Sequence, residues 1–179
     1  SNICYNTAGT FGVALVATNP SGSDSLFIPN FITVNALPVV VASANDTTIC
    51  IGDTLILNGG GATNYTWNNS VINNVGFVPS TTNLYLVTGI DAATSCQNTD
   101  TLTVFVNSLP TVVANASDTI VCLGDSVKLF GTGASSYLWN FGVTDSVNFA
   151  PTTTNTYTVT GTDTNGCSGI KSVVTRNSV

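Results

Sequence analysis

Five cysteines are the residues of this chain whose chemistry is easiest to read from type and spacing. Two thiols can form a disulfide, and zinc is usually held by cysteines together with histidines or by closely spaced cysteine pairs. The chain has no histidine and no two cysteines separated by two residues. Disulfides therefore fit better than a zinc site, and they imply an oxidising compartment. The five residues are Cys4, Cys50, Cys96, Cys122 and Cys167.

An internal repeat of 72 residues sets the expected pairing of these cysteines. Cys50 is equivalent to Cys122, and Cys96 is equivalent to Cys167 after a deletion of one residue. The simplest pattern is one bridge inside each repeat, Cys50–Cys96 and Cys122–Cys167. Each bridge would close a loop of about 45 residues and contribute about 4 kcal/mol in the chain-entropy model. Cys4 is left over, which predicts a partner elsewhere.

A second chemical pattern is a serine or threonine directly after seven of the nine aspartates, followed by Leu, Ile, Val or Thr. Aspartate caps turns by accepting hydrogen bonds from nearby backbone N–H groups. The pattern is therefore typical of a turn that leads into a strand and leaves a hydroxyl at the surface. The hydroxyl residues are Ser25, Thr47, Thr54, Thr101, Thr119, Ser126 and Ser146.

Catalysis and metal binding are not expected. The chain has neither His nor Glu, so the available bases are aspartates and lysines. A glycosidase needs two carboxylates about 5 to 10 Å apart, but the aspartates recur at equivalent turn positions, which is typical of a structural role. Asp91 and Asp163 lie in loops that offer fewer than the roughly 6 to 8 oxygens that calcium takes. We expect Asx turns there, and neither a metal nor another cofactor.

Composition limits the classes of partner that the chain can bind and indicates its compartment. The formal net charge is −6 with three cationic side chains, which argues against nucleic acid and against an anionic membrane surface. No stretch approaches the roughly 20 apolar residues of a membrane span, so no membrane insertion is expected. Only 7% of the residues are charged, so Ser, Thr and Asn must provide solubility. Such a surface suits an extracellular or cell-surface location.

Strand patterns dominate the chain. Segments such as 54–57, 83–88, 100–106, 126–129 and 156–160 alternate apolar and polar residues, and turn residues separate them. Short strands at this spacing predict an all-β fold built from β-sandwiches. Trp67 and Trp139, each two residues after a tyrosine (Tyr65 and Tyr137), fit core packing better than a sugar-stacking platform. Residues 1–36 do not fit the repeat, and we predict only two strands there, over 10–18 and 28–34.

These segments define three domains, and their motifs resemble known families. In residues 1–36, Tyr5-Asn6-Thr7-Ala8-Gly9-Thr10-Phe11, Leu15–Ser23 and Ile32-Thr33-Val34 resemble the C-terminal half of a PKD (polycystic-kidney-disease-type) domain. Residues 37–108 and 109–179 share the pattern C-x-G-D, G-A-x-x-Y-x-W, P-x-T-T-x-x-Y-x-V-T-G-x-D and C, which resembles bacterial Ig-like domains. The resemblance implies tandem PKD-like and Ig-like β-sandwiches in a linear array.

This resemblance also implies a setting and a function. Such arrays are similar to Bacteroidetes-type surface and adhesion proteins exported by type IX secretion, and the Asp-Ser/Thr triplets resemble their O-glycosylation motif. The chain is then expected to be a non-catalytic, O-glycosylated segment of a long extracellular protein, acting as a structural or adhesive stalk or fibre. Its partners would be other domains of the same protein, like subunits, glycans or surface polysaccharide.

Three alternatives remain open at this point. The chain could be a carbohydrate-binding module, which exposed Phe77, Phe141 and Phe149 in a row would favour. It could be an accessory region of a secreted hydrolase. It could also be a filament subunit whose incomplete first domain is completed by a neighbouring chain.

Overall fold

A computed structural model describes residues 4–178, and the regular structure of these residues is almost entirely β. The predicted all-β fold class is confirmed, whereas the linear array of sandwiches stays a prediction. Two three-residue 3-10 turns, Asn68–Ser70 and Asn140–Gly142, interrupt the strands. The strands are β1 (Gly9–Asn19), β2 (Gly22–Val34), β3 (Val41–Ala44), β4 (Thr48–Cys50), β5 (Leu55–Gly60), β6 (Asn64–Trp67), β7 (Gly76–Phe77), β8 (Asn83–Ile90), β9 (Gln97–Asn107), β10 (Val113–Ala116), β11 (Ile120–Cys122), β12 (Val127–Thr132), β13 (Ser136–Trp139), β14 (Asn148–Phe149), β15 (Asn155–Thr162) and β16 (Ser168–Ser178).

The 72-residue period of the sequence is also the period of the strands. Each of β3 to β8 begins 72 residues before its counterpart among β10 to β15, and β9 begins 71 residues before β16. Both repeats form a three-stranded and a four-stranded sheet in the same order, β3-β5-β7 with β4-β9-β8-β6 and β10-β12-β14 with β11-β16-β15-β13. In each four-stranded sheet the short edge strand, β4 or β11, runs parallel to its neighbour.

The chain divides into two compact units whose limits do not coincide with the repeat. The first unit comprises the chain up to Asn45, Ile56–Gly76 and Leu84–Leu102, and the second comprises the rest. The predicted domain limits of 36 and 108 therefore stay predictions. In the second unit, one buried hydrophobic cluster is formed by Val112, Leu129, Trp139, Tyr157 and Val159.

Both tryptophans are core residues whose indole N–H groups have a partner. Trp139 is 3% exposed, and its Nε1 donates to Oδ1 of Asp145 at 2.8 Å. The same oxygen accepts the Gly131 backbone N–H at 2.8 Å. In the first repeat Trp67 is 7% exposed and donates to Oδ1 of Asn73 at 3.0 Å. The core-packing interpretation is thus confirmed, and a sugar platform on these rings is excluded by their burial.

The tyrosines that lie two residues before the tryptophans are also fixed by hydrogen bonds and packing. The hydroxyl of Tyr137 accepts the Ala134 N–H at 2.8 Å and donates to the carbonyl of the same residue at 2.7 Å. Its ring lies on Gly131, where a Cβ atom would come within 2.2 Å of a ring carbon. Tyr65 makes the same contact with Gly59. Only glycine leaves room for the ring at this position of β5 and β12.

The N-terminal segment forms an antiparallel hairpin of β1 and β2 that exposes apolar side chains. The exposed fractions of Leu15, Val16, Phe27 and Phe31 lie between 62% and 67%. The prediction of two strands in residues 1–36 is confirmed for the described part, although β2 begins six residues earlier than expected, at Gly22. Residues 1–3 lie outside the described residues. Because an isolated two-stranded ribbon is at best marginally stable in water, this hairpin needs a cover.

Replacing Asp145 tests the polar contact of the buried tryptophan. We expect Asp145→Ala to lower the free energy of unfolding by about 2 to 3 kcal/mol, because two N–H donors lose their acceptor. Asp145→Asn is the matched control, since Asn73 accepts the same bonds in the first repeat; its cost should stay below about 1 kcal/mol. Urea unfolding monitored by tryptophan fluorescence measures both values. Equal losses in the two variants would contradict this role of the side-chain oxygen.

Candidate functional sites: the cysteines and the Asp-Ser/Thr turns

The structure contradicts the predicted disulfide pairs. It joins Cys50 to Cys167, with 5.6 Å between their Cα atoms, a usual separation for a disulfide. The thiols of Cys4, Cys96 and Cys122 are free. The bridge therefore connects the first cysteine of one repeat to the second cysteine of the next repeat. Repeat equivalence shows which cysteines share a local environment, but it does not show which of them come together.

The first cysteine of each repeat ends the short parallel strand of its sheet. Cys50 ends β4 and Cys122 ends β11. The backbone N–H of Cys50 donates to Oδ2 of Asp53 at 2.9 Å, and that of Cys122 donates to Oδ2 of Asp125 at 3.3 Å. The glycine between cysteine and aspartate has φ of +99° in one repeat, at Gly52, and +96° in the other. The two thiols are therefore presented by the same turn.

The second cysteine of each repeat closes a loop that begins with an aspartate. The Asp91 N–H donates to the Cys96 carbonyl, and the Asp163 N–H donates to the Cys167 carbonyl, both at 2.9 Å. Oδ1 of Asp163 accepts the N–H of Asn165 at 2.8 Å and of Cys167 at 2.9 Å. The predicted Asx turns are thus confirmed. Within residues 4–178, no group of three or more His, Cys, Asp or Glu side chains could hold a metal ion.

The aspartate of the first loop is stabilised in its charged form. Backbone N–H groups of Thr94 and Ala93 donate to Oδ1 of Asp91 at 3.1 and 2.8 Å. These two hydrogen bonds hold the pKa of Asp91 below its ordinary value. Oδ1 of this carboxylate is therefore occupied by hydrogen bonds within its own turn.

All seven hydroxyl residues of the Asp-Ser/Thr triplets are exposed. Five of the aspartates accept a backbone N–H from within three residues, as a turn cap does. Asp46 and Asp118, equivalent in the repeat, accept the N–H two residues on at 2.9 and 3.0 Å. The turn-capping interpretation is confirmed for these five. The exposed hydroxyl residues are Ser25, Thr47, Thr54, Thr101, Thr119, Ser126 and Ser146.

The other two triplets have aspartates that act over long distances in the sequence. Oδ2 of Asp100 accepts the Ala42 N–H at 2.8 Å, and this bond is the main cause of its lowered pKa. Thr101 lies inside β9 rather than at the start of a strand. Burial raises the pKa of Asp145, but hydrogen bonds from Trp139, Gly131 and Ser146 outweigh it and leave the pKa below its ordinary value.

Three aromatic residues that would have lined a binding face are not equally exposed. Phe141 is 71% exposed, whereas Phe77 and Phe149 are half-buried. Phe141 and Phe149 both make T-shaped contacts with Tyr157, with ring centroids 5.9 and 5.3 Å away. The row of three exposed rings is not formed. Phe141 alone is presented to solvent, with φ of +55°.

The comparisons with known proteins add no family. Neither a protein-family model nor a curated protein sequence matches the chain. Over residues 4–178, no helix has the length and apolar character needed to cross a membrane. The disulfide is compatible with an extracellular location.

Peptide mapping without reduction distinguishes the observed bridge from the predicted ones. Cleavage before aspartate places Cys50, Cys96, Cys122 and Cys167 on four separate peptides. After alkylation of free thiols, we expect one linked pair, residues 46–52 joined to the peptide that begins at Asp163. Cys96 and Cys122 should carry the alkyl group. A reduced sample is the control, and a linked Cys50–Cys96 or Cys122–Cys167 peptide would contradict the structure.

Proposed function

We propose that the chain is a non-catalytic segment of a long extracellular surface protein and acts as an O-glycosylated stalk or fibre, structural or adhesive. The observation that carries the proposal is the exposure of all seven hydroxyl residues that follow an aspartate. Five of them stand on turns whose backbone is fixed by that aspartate. A hydroxyl and a carboxylate in a fixed, exposed arrangement form a suitable substrate for a glycosyltransferase.

The repeated β architecture supports a mechanical role. Identical strand orders recur along the chain, and each repeat begins with a Leu-Pro pair that contains Pro38 or Pro110. Proline restricts the residue before it, which stiffens a junction. The disulfide opposes unfolding and suits an oxidising, extracellular compartment.

The setting and the partners belong to the same proposal. Resemblance to PKD-like and Ig-like modules supports a cell-surface protein exported by type IX secretion. Its partners are other domains of the same protein or like subunits, either of which would cover the apolar hairpin of β1 and β2. Glycans or surface polysaccharide are further partners of an adhesive stalk.

The seven sites differ in how well they would be recognised. Thr47 and Thr119 follow exposed aspartates that use one carboxylate oxygen in a local turn. Ser146 is the least suitable, because its hydroxyl donates to Oδ2 of Asp145 at 2.9 Å and that carboxylate also holds Trp139. We therefore expect hexose-containing adducts at Thr47 and Thr119 and an unmodified Ser146.

Glycopeptide mass mapping of the protein purified from its native cells tests this proposal. In these cells Asp118→Asn should abolish the glycan on Thr119 and leave the one on Thr47, because asparagine keeps the cap but lacks the charge. Thr119→Ala is the control for peptide assignment. Unmodified hydroxyls at all seven positions would overturn the glycosylated stalk.

A carbohydrate-binding role, in a module of its own or in an accessory region of a secreted hydrolase, is favoured by Phe141. A bulky residue in the left-handed region costs about 1 to 3 kcal/mol, whereas Asn69, its equivalent with φ of +54°, tolerates this conformation well. Strain retained at an exposed aromatic ring points to a use for the ring, such as stacking on a sugar.

Phe141→Asn tests this second role by copying the first repeat. Retention in affinity gels containing β-glucan or xylan should fall at least tenfold if the ring binds sugar. The unfolding temperature should not fall, because relief of backbone strain offsets the lost contact with Tyr157. Equal retention of the variant and the unaltered chain would eliminate this role for these polysaccharides.

A further inference from the structure

The disulfide uses only one member of each pair of equivalent cysteines. Cys50 is bonded while its equivalent Cys122 is free, and Cys167 is bonded while its equivalent Cys96 is free. The chain therefore carries the two halves of a second, identical bridge that is not closed within the molecule.

The free thiols lie at turns that share their main backbone hydrogen bonds with the turns of the bonded thiols. Cys122 ends β11 before a capped turn, as Cys50 does at the end of β4. The carbonyl of Cys96 accepts an aspartate N–H at 2.9 Å, as that of Cys167 does. The loop before Cys96 is one residue longer than the loop before Cys167. The structure thus shows that a thiol in the first environment bonds a thiol in the second.

The surface around the free thiol is also less covered than the surface around the bonded one. Leu123, next to Cys122, is 76% exposed, whereas the equivalent Ile51, next to Cys50, is 43% exposed. Ile120, two residues before Cys122, is 57% exposed as well. These three residues, Ile120, Cys122 and Leu123, form an apolar patch, and a contact like the one at Cys50 would cover it.

We infer that Cys122 of one copy of this chain forms a disulfide with Cys96 of a second copy. The two surfaces are different, so the contact is heterologous, and every added copy again presents a free Cys122 and a free Cys96. Contacts of this kind build open chains, or rings when the rotation closes. The inference deepens the proposed fibre and rests on it only for an oxidising compartment.

The bond forms by thiol–disulfide exchange. Two thiols lose two protons and two electrons as the sulfur–sulfur bond forms, and an external disulfide such as oxidised glutathione takes them up and becomes two thiols. The thiolate first attacks that disulfide and gives a mixed disulfide, which the second thiolate then resolves. Exposure of Cys122 makes it the thiol that reacts first.

Complementary variants test the pairing. In a Cys4→Ser background, Cys96→Ser leaves only Cys122 free, and Cys122→Ser leaves only Cys96 free. With oxidised glutathione, the background chain should give a ladder on non-reducing gels. The two variants mixed together should stop at dimers, and each variant alone should stay monomeric. Dimers of either variant alone, or monomers throughout, would overturn the inference.

Isotope labelling shows whether the bond joins two chains. Equal amounts of ¹⁵N-labelled and unlabelled Cys4→Ser chain are oxidised together and cleaved before aspartate. Residues 91–99 linked to residues 118–124 should occur with one labelled and one unlabelled half in about half of the linked peptides. If every linked peptide carried a single label, the bond would lie within one chain, and the inference would be overturned.

A substitution in the apolar patch separates a specific contact from random oxidation. Leu123→Asp should slow the formation of dimers at least tenfold, whereas Leu138→Asp, at a residue 74% exposed elsewhere, should not. Equal rates would overturn the inference. Glycans without the Cys96–Cys122 link would refute this inference alone, and the link without glycans would refute only the glycosylated stalk.

Discussion

The rest of this fold depends on Asp and Asn residues at the ends of strands, whose side-chain oxygens accept backbone N–H groups. Asn68 accepts the Leu86 N–H at 3.0 Å and Asn140 accepts the Thr158 N–H at 3.0 Å, at the same place in the two repeats. Buried or half-buried backbone donors must be paired, and a chain with 7% charged residues has few ion pairs to hold its loops. The caps therefore fix the turns, and the turns fix the positions of the cysteines and hydroxyl residues that they carry.

The same caps explain why the candidate sites are found at turns. Asp53 both fixes the backbone of Cys50 and precedes Thr54, so one carboxylate connects a disulfide position with a hydroxyl that is proposed to carry sugar. Asp145 shows the limit of this double use. Its oxygens accept hydrogen bonds from Trp139, Gly131 and Ser146. This carboxylate therefore stabilises the core and is poorly placed for recognition by a glycosyltransferase.

Sequence patterns predicted the strands and the buried tryptophans well, because alternation and a repeat are local or periodic properties. They failed where the outcome depends on proximity between distant segments. Cys50 and Cys167 are 117 residues apart, and equivalence under the repeat favoured partners inside each module instead. The early start of β2 was missed because Gly22, Ser23 and Asp24 are residues that favour turns. In the structure they pair with Asn19, Thr18 and Ala17, and pairing continues beyond a register shift between Phe11 and Val13.

The offset of the bridge has a consequence that a bridge within each repeat would not have. When the first cysteine of a repeat bonds the second cysteine of the next repeat, both cysteines of every inner repeat are bonded. Within the two repeats of this segment, the first keeps its second cysteine, Cys96, and the second keeps its first, Cys122. Two complementary thiols therefore remain however many repeats are joined. Bridges within each repeat would leave neither, so the capacity to extend follows from the offset and not from the number of repeats.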